Sequence, residues 1–218
     1  SDIGIKVINY DPATKTLVVA YNNSNIDLIF NGTDIYNISD IQKKAISGGA
    51  IGINGISFYN GNAYLSTDIG ISIIDLAKKE IGDTYIIGAG GQAVKVYGTA
   101  IDGTNIYAAT ETGVKYAPLS SPNLLDLNSW TQFNAAQGLP AKRAAYIAAY
   151  NNQVYTVINA TNSDTLYAYN GTRWTSVFYD SLLTTIHSLD ATQGKLYFGI
   201  WDGENSGRLG KIDEQGNL

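Results

Sequence analysis

Apolar and polar residues alternate at period two along most of the chain, which is the pattern of half-buried β-strands. The clearest hairpin lies within residues 102–117, DGTNIYAATETGVKYA. Ile106–Ala109 is predicted as one strand, Thr110–Gly113 as the turn and Val114–Ala117 as the return strand. β-branched and aromatic residues suit a pleated surface, and Gly113 supplies the backbone freedom that a tight turn requires.

The same hairpin unit recurs along the chain at a nearly constant spacing. Equivalent positions in the central strands are 42 to 48 residues apart, and they are Val18, Tyr64, Tyr107, Tyr155 and Tyr197. Propeller blades of four short antiparallel strands repeat at about 40–50 residues. A β-sandwich would explain the strands but not the fixed period. The sequence therefore predicts an all-β propeller with about five visible four-stranded antiparallel blades.

The blades are expected at residues 1–45, 46–92, 93–140, 141–182 and 183–218. Asn60–Asn62 and Asn151-Asn152 are predicted turns between strands, because Asn and Gly favour turns. The fifth unit stops in residues 214–218, which are typical of a turn without its following strand. We therefore expect an incomplete last blade and self-association through open blade edges, and the alternative is a closed ring of these units.

Composition narrows the classes of function. Hydrophobic residues make up 44% of the 218 residues, so a large core can be buried. The formal net charge of −5 argues against nucleic acid, which selects basic faces. The absence of cysteine excludes disulfides, thiolate zinc sites and cysteine nucleophiles. No apolar run approaches the roughly 20 residues of a membrane span. The chain starts at Ser1 without a signal peptide, and we expect it to be a processed or excised piece.

Candidate catalytic and metal-binding residues are few. The single histidine, His187, lies in an apolar strand, and we expect it in or beside the core rather than in a catalytic triad. The carboxylates lie mostly in turns, where hydrogen bonding to the backbone explains them; they are Asp11, Asp68, Asp102, Glu111 and Asp190. Asp202–Asn205 is oxygen-rich but lacks the alternating ligands of a calcium loop. Residues 88–91 are glycine-rich but do not continue as a phosphate-binding loop.

The sequence therefore predicts no catalytic residue, no metal site and no cofactor. The site residues that it does single out are structural. Gly70 and Gly113 follow the same Thr-acid-X pattern in two units, and both are expected to hold hairpin turns at positive φ. Ligand-binding residues are expected on one rim, where loops from several blades meet.

The turn pattern also carries a family resemblance. Tyr107–Val114 (YAATETGV) and Leu65–Ile71 (LSTDIGI) resemble the two-component-regulator propeller repeat of Bacteroidetes. A more specific resemblance, to the N-terminal propeller of PorZ-type proteins, covers about residues 1–178. Its motifs are Asn25–Ile29, Gly70–Leu76, Asp83–Gly88 and Asn123–Asp126 followed by Trp130.

The resemblance implies a function by analogy. It implies a larger ring of about seven blades in a periplasmic, outer-membrane-associated or extracellular protein linked to type IX secretion. The implied role is non-catalytic binding and scaffolding, with a protein or a surface glycan as partner. The first alternative is the extracytoplasmic sensor propeller of a hybrid two-component system that recognises a glycan. A propeller glycosidase or lyase is the third possibility, and it would require convergent acids or a metal site.

Overall fold

A computed structural model describes residues 3–39, 41, 50–161, 163–179, 184–192, 194–201 and 207–218. Regular structure in these residues is almost entirely β, as the period-two pattern predicts. The strands form five antiparallel sheets, in each of which consecutive strands are neighbours. The fold class is therefore the predicted all-β propeller built from blades of the four-stranded meander type.

The first two sheets occupy residues 5–85. Sheet one contains β1 (Ile5–Asp11), β2 (Thr16–Tyr21), β3 (Ile26–Phe30) and β4 (Asp34–Ile38). Sheet two contains β5 (Ile53–Tyr59), β6 (Asn62–Thr67), β7 (Gly70–Asp75) and β8 (Glu80–Tyr85). A short 3-10 turn, Ala89–Gly91, follows sheet two.

The other three sheets follow in chain order. Sheet three contains β9 (Val96–Ile101), β10 (Asn105–Thr110), β11 (Gly113–Pro118) and the very short β12 (Thr131–Gln132). Sheet four contains β13 (Ala144–Tyr150), β14 (Gln153–Ile158), β15 (Thr165–Tyr169) and β16 (Trp174–Tyr179). Within the described residues, sheet five has three strands, β17 (Thr185–Thr192), β18 (Lys195–Trp201) and β19 (Gly207–Ile212).

The repeat found in the sequence corresponds to equivalent structural positions. Val18, Tyr64, Tyr107, Tyr155 and Tyr197 are each the third residue of the second strand of their sheet. The turn of the best hairpin is shorter than the sequence indicated. Thr110 pairs with Gly113 inside the ladder, so the turn itself is only Glu111-Thr112.

The chain divides into two compact units, residues 1–99 with 123–129, and residues 100–122 with 130–218. In the first unit, Val18, Leu28 and Leu65 belong to a core between sheets one and two. The second unit has two apolar clusters, one between sheets three and four and one between sheets four and five. Side chains alternate between the two faces of β14, so Val154 lies in the first cluster and Val157 in the second.

The first strands of sheets one, two, four and five share a β-bulge near their beginning. In each, one residue is inserted between two consecutive cross-strand pairs. The inserted residues are Lys6, Asn54, Ala145 and His187.

The bulge corrects the expectation for His187. His187 was expected in or beside the core because it lies in an apolar strand, but the structure leaves it exposed. The extra residue is unpaired, and a bulge locally changes the direction of a side chain. Ile186, immediately before it, is buried.

Candidate functional site

The bulged end of a first strand and the turn between the second and third strands lie at the same end of a sheet. In sheet two, Ile53 at the start of β5 pairs with Thr67 at the end of β6. This arrangement places backbone and polar side chains of the bulge beside the Thr67–Gly70 turn. We call Gly52, Asn54, Asp68, Lys95 and Tyr97, all in the first unit, the rim cluster.

Asp68 is the centre of the rim cluster. Its carboxylate accepts hydrogen bonds from the Gly52 amide at 3.1 Å and from Asn54 Nδ2 at 3.0 Å. Lys95 Nζ lies 3.1 Å from the same carboxylate. The bulge supplies Asn54, whose Nδ2 also donates to the Val96 carbonyl at 3.0 Å. The side chains of Asp68 and Lys95 remain partly exposed, so solvent reaches the cluster.

The electrostatics of the cluster favour an ionised carboxylate. Burial acts to raise the pKa of Asp68, but hydrogen bonds from Asn54, Lys95 and Gly52 outweigh it and hold the pKa below its ordinary value. Lys95 Nζ also lies 5.5 Å from the centroid of the Tyr97 ring. The cluster is a compensated ion pair beside an aromatic ring.

The two turn glycines begin the third strands of their sheets. Thr67 Oγ1 donates to the Gly70 carbonyl at 2.9 Å and accepts from the Ile69 amide at 3.3 Å. Thr110 Oγ1 makes the equivalent bond to the Gly113 carbonyl at 2.8 Å. The φ angles are 145° at Gly70 and 126° at Gly113, in a region that side-chain-bearing residues rarely adopt.

Carboxylates elsewhere also hold the backbone of their own chain. Asp164, in the second unit, accepts from Asn159 Nδ2 at 2.9 Å and from the Ile186 amide at 2.9 Å. Asp102 accepts from the Tyr107 hydroxyl at 2.8 Å and from two backbone amides of its turn. These carboxylates are structural acceptors.

Among the residues that the structure describes, the remaining chemical candidates from the sequence do not converge on a site. His187 Nε2 lies 2.9 Å from Thr185 Oγ1. Across the described ranges, no group of three or more His, Cys, Asp or Glu could hold a metal ion. The oxygen-rich segment 202–205 lies outside the described residues. Among the residues whose structure is described, no helix has the length and apolarity to cross a membrane.

Sequence reasoning missed Asn54, Lys95 and Tyr97 as a group. Asn54 interrupts an otherwise apolar strand start, Ile-Asn-Gly-Ile, and that interruption was the available signal. Nothing local connects it with Lys95, because their link through Asp68 depends on how two sheets are placed. The sequence did identify Asp68 and Gly70 as turn residues, and the turn is where the cluster forms.

Fold and site together define the class: an all-β propeller module with a polar, charge-compensated rim cluster. A family model described as the TSS9, PorZ, N-terminal beta-propeller domain matches residues 1–131. Because that match covers more than half of the chain, the protein belongs to this family.

Solved structures show the same fold. PorZ of Porphyromonas gingivalis, described as an essential bacterial surface component of the type-IX secretion system, has a TM-score of 0.71 at 19% identity over 98% of this chain. The extracellular domain of the putative hybrid two component system BT4673 from B. thetaiotaomicron has a TM-score of 0.67 at 14% identity over 99% of this chain.

A similar extracellular domain from the same organism, that of BT3049, has a TM-score of 0.65 at 14% identity over 98% of this chain. The chain spans only 28%, 27% and 29% of these three structures. A search of curated proteins found no match.

Proposed function

We propose that the chain is a non-catalytic binding and scaffold module of the cell surface or periplasm. Its rim cluster contacts a protein or a surface glycan, and its context is type IX secretion. The observation that carries this proposal is the state of Asp68, whose carboxylate already accepts from three donors of its own chain. An acid held in this way positions its neighbours, which is the role of a structural carboxylate.

The chemistry of the rim cluster favours a neutral ligand. Asp68 and Lys95 compensate each other's charge, which removes a strong field for a polyanion or a polycation. The ring of Tyr97 offers an apolar face with a polar tip, a combination suited to sugars and to protein side chains. Membership of the PorZ propeller family supports the surface location and the link to secretion.

The second candidate function is that of a sensor propeller in a two-component system. It is favoured by the likeness to the extracellular domains of BT4673 and BT3049. Both functions use ligand binding at a rim, and they differ in the domain that is joined to the propeller. A sorting domain after the propeller in the full-length gene supports the scaffold, whereas a membrane helix and then a kinase support the sensor.

Nuclear magnetic resonance titration tests the binding proposal. The 15N-labelled chain is titrated with a panel of neutral oligosaccharides and with peptides from surface proteins, and the ligand is analysed for cleavage. We expect shifts in residues 52–54, 68–70 and 95–97 with the ligand intact. Cleavage that is lost on substitution of one carboxylate would overturn the non-catalytic reading, and shifts confined to the outermost strands would overturn the rim placement.

A matched pair of variants locates the site. Tyr97→Ala removes the aromatic ring of the rim cluster, and Tyr36→Ala removes an exposed tyrosine of β4 in the same unit. Loss of an aromatic contact at the centre of an interface typically weakens binding by about tenfold or more. We expect that loss for Tyr97→Ala only, and equal affinities of the two variants would contradict the assignment.

A further inference from the structure

Four asparagines in the chain are directly followed by glycine, and they are Asn31, Asn54, Asn60 and Asn170. An asparagine in this setting can react with its own backbone. The nitrogen of the following residue attacks the side-chain carbonyl carbon Cγ, and a five-membered succinimide ring forms. The side-chain nitrogen leaves as ammonia and takes the proton of the attacking nitrogen. Glycine permits this attack because it has no Cβ atom beside the nitrogen.

Asn54 is held in place by its surroundings. Its Nδ2 donates to Asp68 Oδ1 at 3.0 Å and to the Val96 carbonyl at 3.0 Å. The peptide that joins it to Gly55 lies inside β5, and a Cβ atom at Gly55 would be 3.0 Å from the Tyr97 carbonyl oxygen. Ring closure at Asn54 would therefore break both side-chain bonds and rotate a peptide inside a crowded strand.

Asn170 is exposed, but its side chain is also fixed. Its Oδ1 accepts from the Thr172 amide at 3.0 Å and from the Arg173 amide at 2.9 Å. These bonds hold the side-chain torsion angles that ring closure has to change. Exposure alone therefore does not make an asparagine of this fold reactive.

Asn60 has neither restraint. It is exposed, and its side chain has no hydrogen-bond partner among the described residues. Its backbone carbonyl accepts a long bond from Asn62 Nδ2, at 3.4 Å. A Cβ atom at Gly61 would have nothing within 4 Å, so the attacking nitrogen lies beside open space.

The turn at Asn60 and Gly61 can reach the geometry of the ring while the hairpin stays paired. Tyr59 pairs with Asn62, and the φ values of 47° and 73° between them identify a two-residue type I′ turn. Ring closure eclipses the Gly61 nitrogen with Cβ of Asn60, which requires a ψ of about −120°, the value at the first central position of a type II′ turn. Both turn types close the same strand pair, and rotation of the Asn60–Gly61 peptide converts one into the other.

Sheet two has strands of the first unit on both of its sides. Asn9 Nδ2 of β1 donates to the Ile56 carbonyl at 2.8 Å. On the other side, the hydroxyls of Ser57 and of Thr99 in β9 share a hydrogen bond. The turn at Asn60 therefore remains exposed in a sheet whose neighbours are both present.

Asn31-Gly32 is a second candidate, because it is exposed and its φ values are 53° and 80°. We base the inference on Asn60, whose sheet has both neighbours.

We propose that Asn60 is a site of spontaneous succinimide formation in this protein. Water opens the ring by breaking one of the two bonds between the ring nitrogen and a carbonyl carbon. Breaking the bond to Cγ gives aspartate, and breaking the bond to the backbone carbonyl carbon gives isoaspartate. Either product adds a negative charge to the turn between β5 and β6. The site does not depend on the rim cluster, which lies at the other end of sheet two.

Incubation of the folded 218-residue chain in water labelled with heavy oxygen tests the proposal. Mildly alkaline buffer is used because it favours loss of the proton from the attacking nitrogen, and peptide mass mapping then locates the labelled carboxylates. Asn54 is the internal control, since glycine follows it as well. We expect conversion at Asn60 to be at least about tenfold faster than at Asn54. In urea, where no fold holds either side chain, the two rates should become similar.

The products and a matched variant identify the route. Isoaspartate should be found at position 60, because direct hydrolysis of the side-chain amide cannot form it. Gly61→Ala adds a methyl group beside the attacking nitrogen and should slow conversion at Asn60 by about tenfold or more. An unchanged rate at Asn54 would verify that this variant is folded. Equal rates at Asn60 and Asn54 in the folded wild type would overturn the proposal, and so would conversion at position 60 without isoaspartate.

Discussion

The Thr67–Gly70 turn of sheet two and the Thr110–Gly113 turn of sheet three have the same local structure in different surroundings. Each is a two-residue turn in which a buried threonine hydroxyl bonds to a glycine carbonyl, at 2.9 Å and 2.8 Å. A Cβ atom at Gly70 would collide with the backbone carbonyl oxygen of Tyr85, whereas at Gly113 the nearest atom would be 3.6 Å away. The turn sequence determines the hydrogen bonds of each turn. The neighbouring strand determines how much room a side chain would have at the glycine.

The fourth strand of each sheet explains this difference. In sheet two, β8 continues to Tyr85, which pairs with Ile71 directly after the turn. In sheet three, β12 is two residues long and pairs with Lys115 and Tyr116, further along the strand. The backbone therefore closes over Gly70 but not over Gly113. Gly70 is required both for its positive φ and for the close approach of the Tyr85 backbone. Gly113 is required for its positive φ alone.

The largest predicted effect separates the two glycines. Gly70→Ala should destabilise the protein by roughly 3–5 kcal/mol, because the new methyl group displaces backbone of β8 in addition to the strain at positive φ. Gly113→Ala should cost only about 1–2 kcal/mol, from the strain alone. Urea unfolding of both variants and of the wild type, with their m-values compared, measures the two losses of stability. Equal losses would show that the length of the fourth strand does not matter.

Removal of the threonine hydroxyl should destabilise the protein equally in the two turns. Thr67→Val and Thr110→Val each leave a buried glycine carbonyl without its hydroxyl donor, and each should cost about 1–3 kcal/mol. Thr104→Val, at an exposed position outside both turns, is the control for the change of side chain. If the losses in free energy of unfolding differ between the two turns by more than about 1 kcal/mol, the two threonines are not equivalent.

The smallest effect concerns the acid that follows the threonine. The pKa of Asp68 lies below its ordinary value, since hydrogen bonds outweigh its burial. Its contribution to stability is therefore present above the unfolded-state pKa, near 4, and is lost as pH falls through the lower folded-state pKa.

Asp68→Asn should thus cost less than about 1 kcal/mol at neutral pH, because solvent screens this partly exposed pair. The difference from wild type should shrink in acid. Lys95→Gln removes the ammonium group and leaves the Gly52 and Asn54 donors, so it should retain part of the acid-sensitive stability. A difference between Asp68→Asn and wild type that is independent of pH down to about 2 would contradict the role of this carboxylate.

Features controlled by a few neighbouring residues were predictable from the sequence. Turns form at both predicted places because Asn and Gly accept positive φ. The φ angles are 47° at Asn60, 73° at Gly61, 50° at Asn151 and 58° at Asn152. Asn62, predicted as part of the first turn, already begins β6. The constant spacing of Val18 and its equivalents identified the blades, since strand and turn lengths are local properties.

Features that depend on distant residues were not predictable. The bulge at His187 lies in an apolar strand and no residue marks it, so its side chain was predicted in or beside the core. The rim cluster joins Asp68 to Lys95, and only the placement of neighbouring strands brings their side chains together. The close approach of Tyr85 to Gly70 depends on where β8 ends, which no single residue marks.

The bulge that four first strands share allows those strands to change length by one residue. The pairs on either side of Lys6, Ile5 with Tyr21 and Val7 with Ala20, use consecutive residues of β2. Removing Lys6 would leave both pairs in register, and the same holds for the inserted residues of sheets two, four and five. Single-residue insertions and deletions at these points are therefore neutral for the inward and outward alternation of the rest of the strand. At Asn54 such a deletion would keep the strand in register but remove the hydrogen bonds to Asp68 and to the Val96 carbonyl.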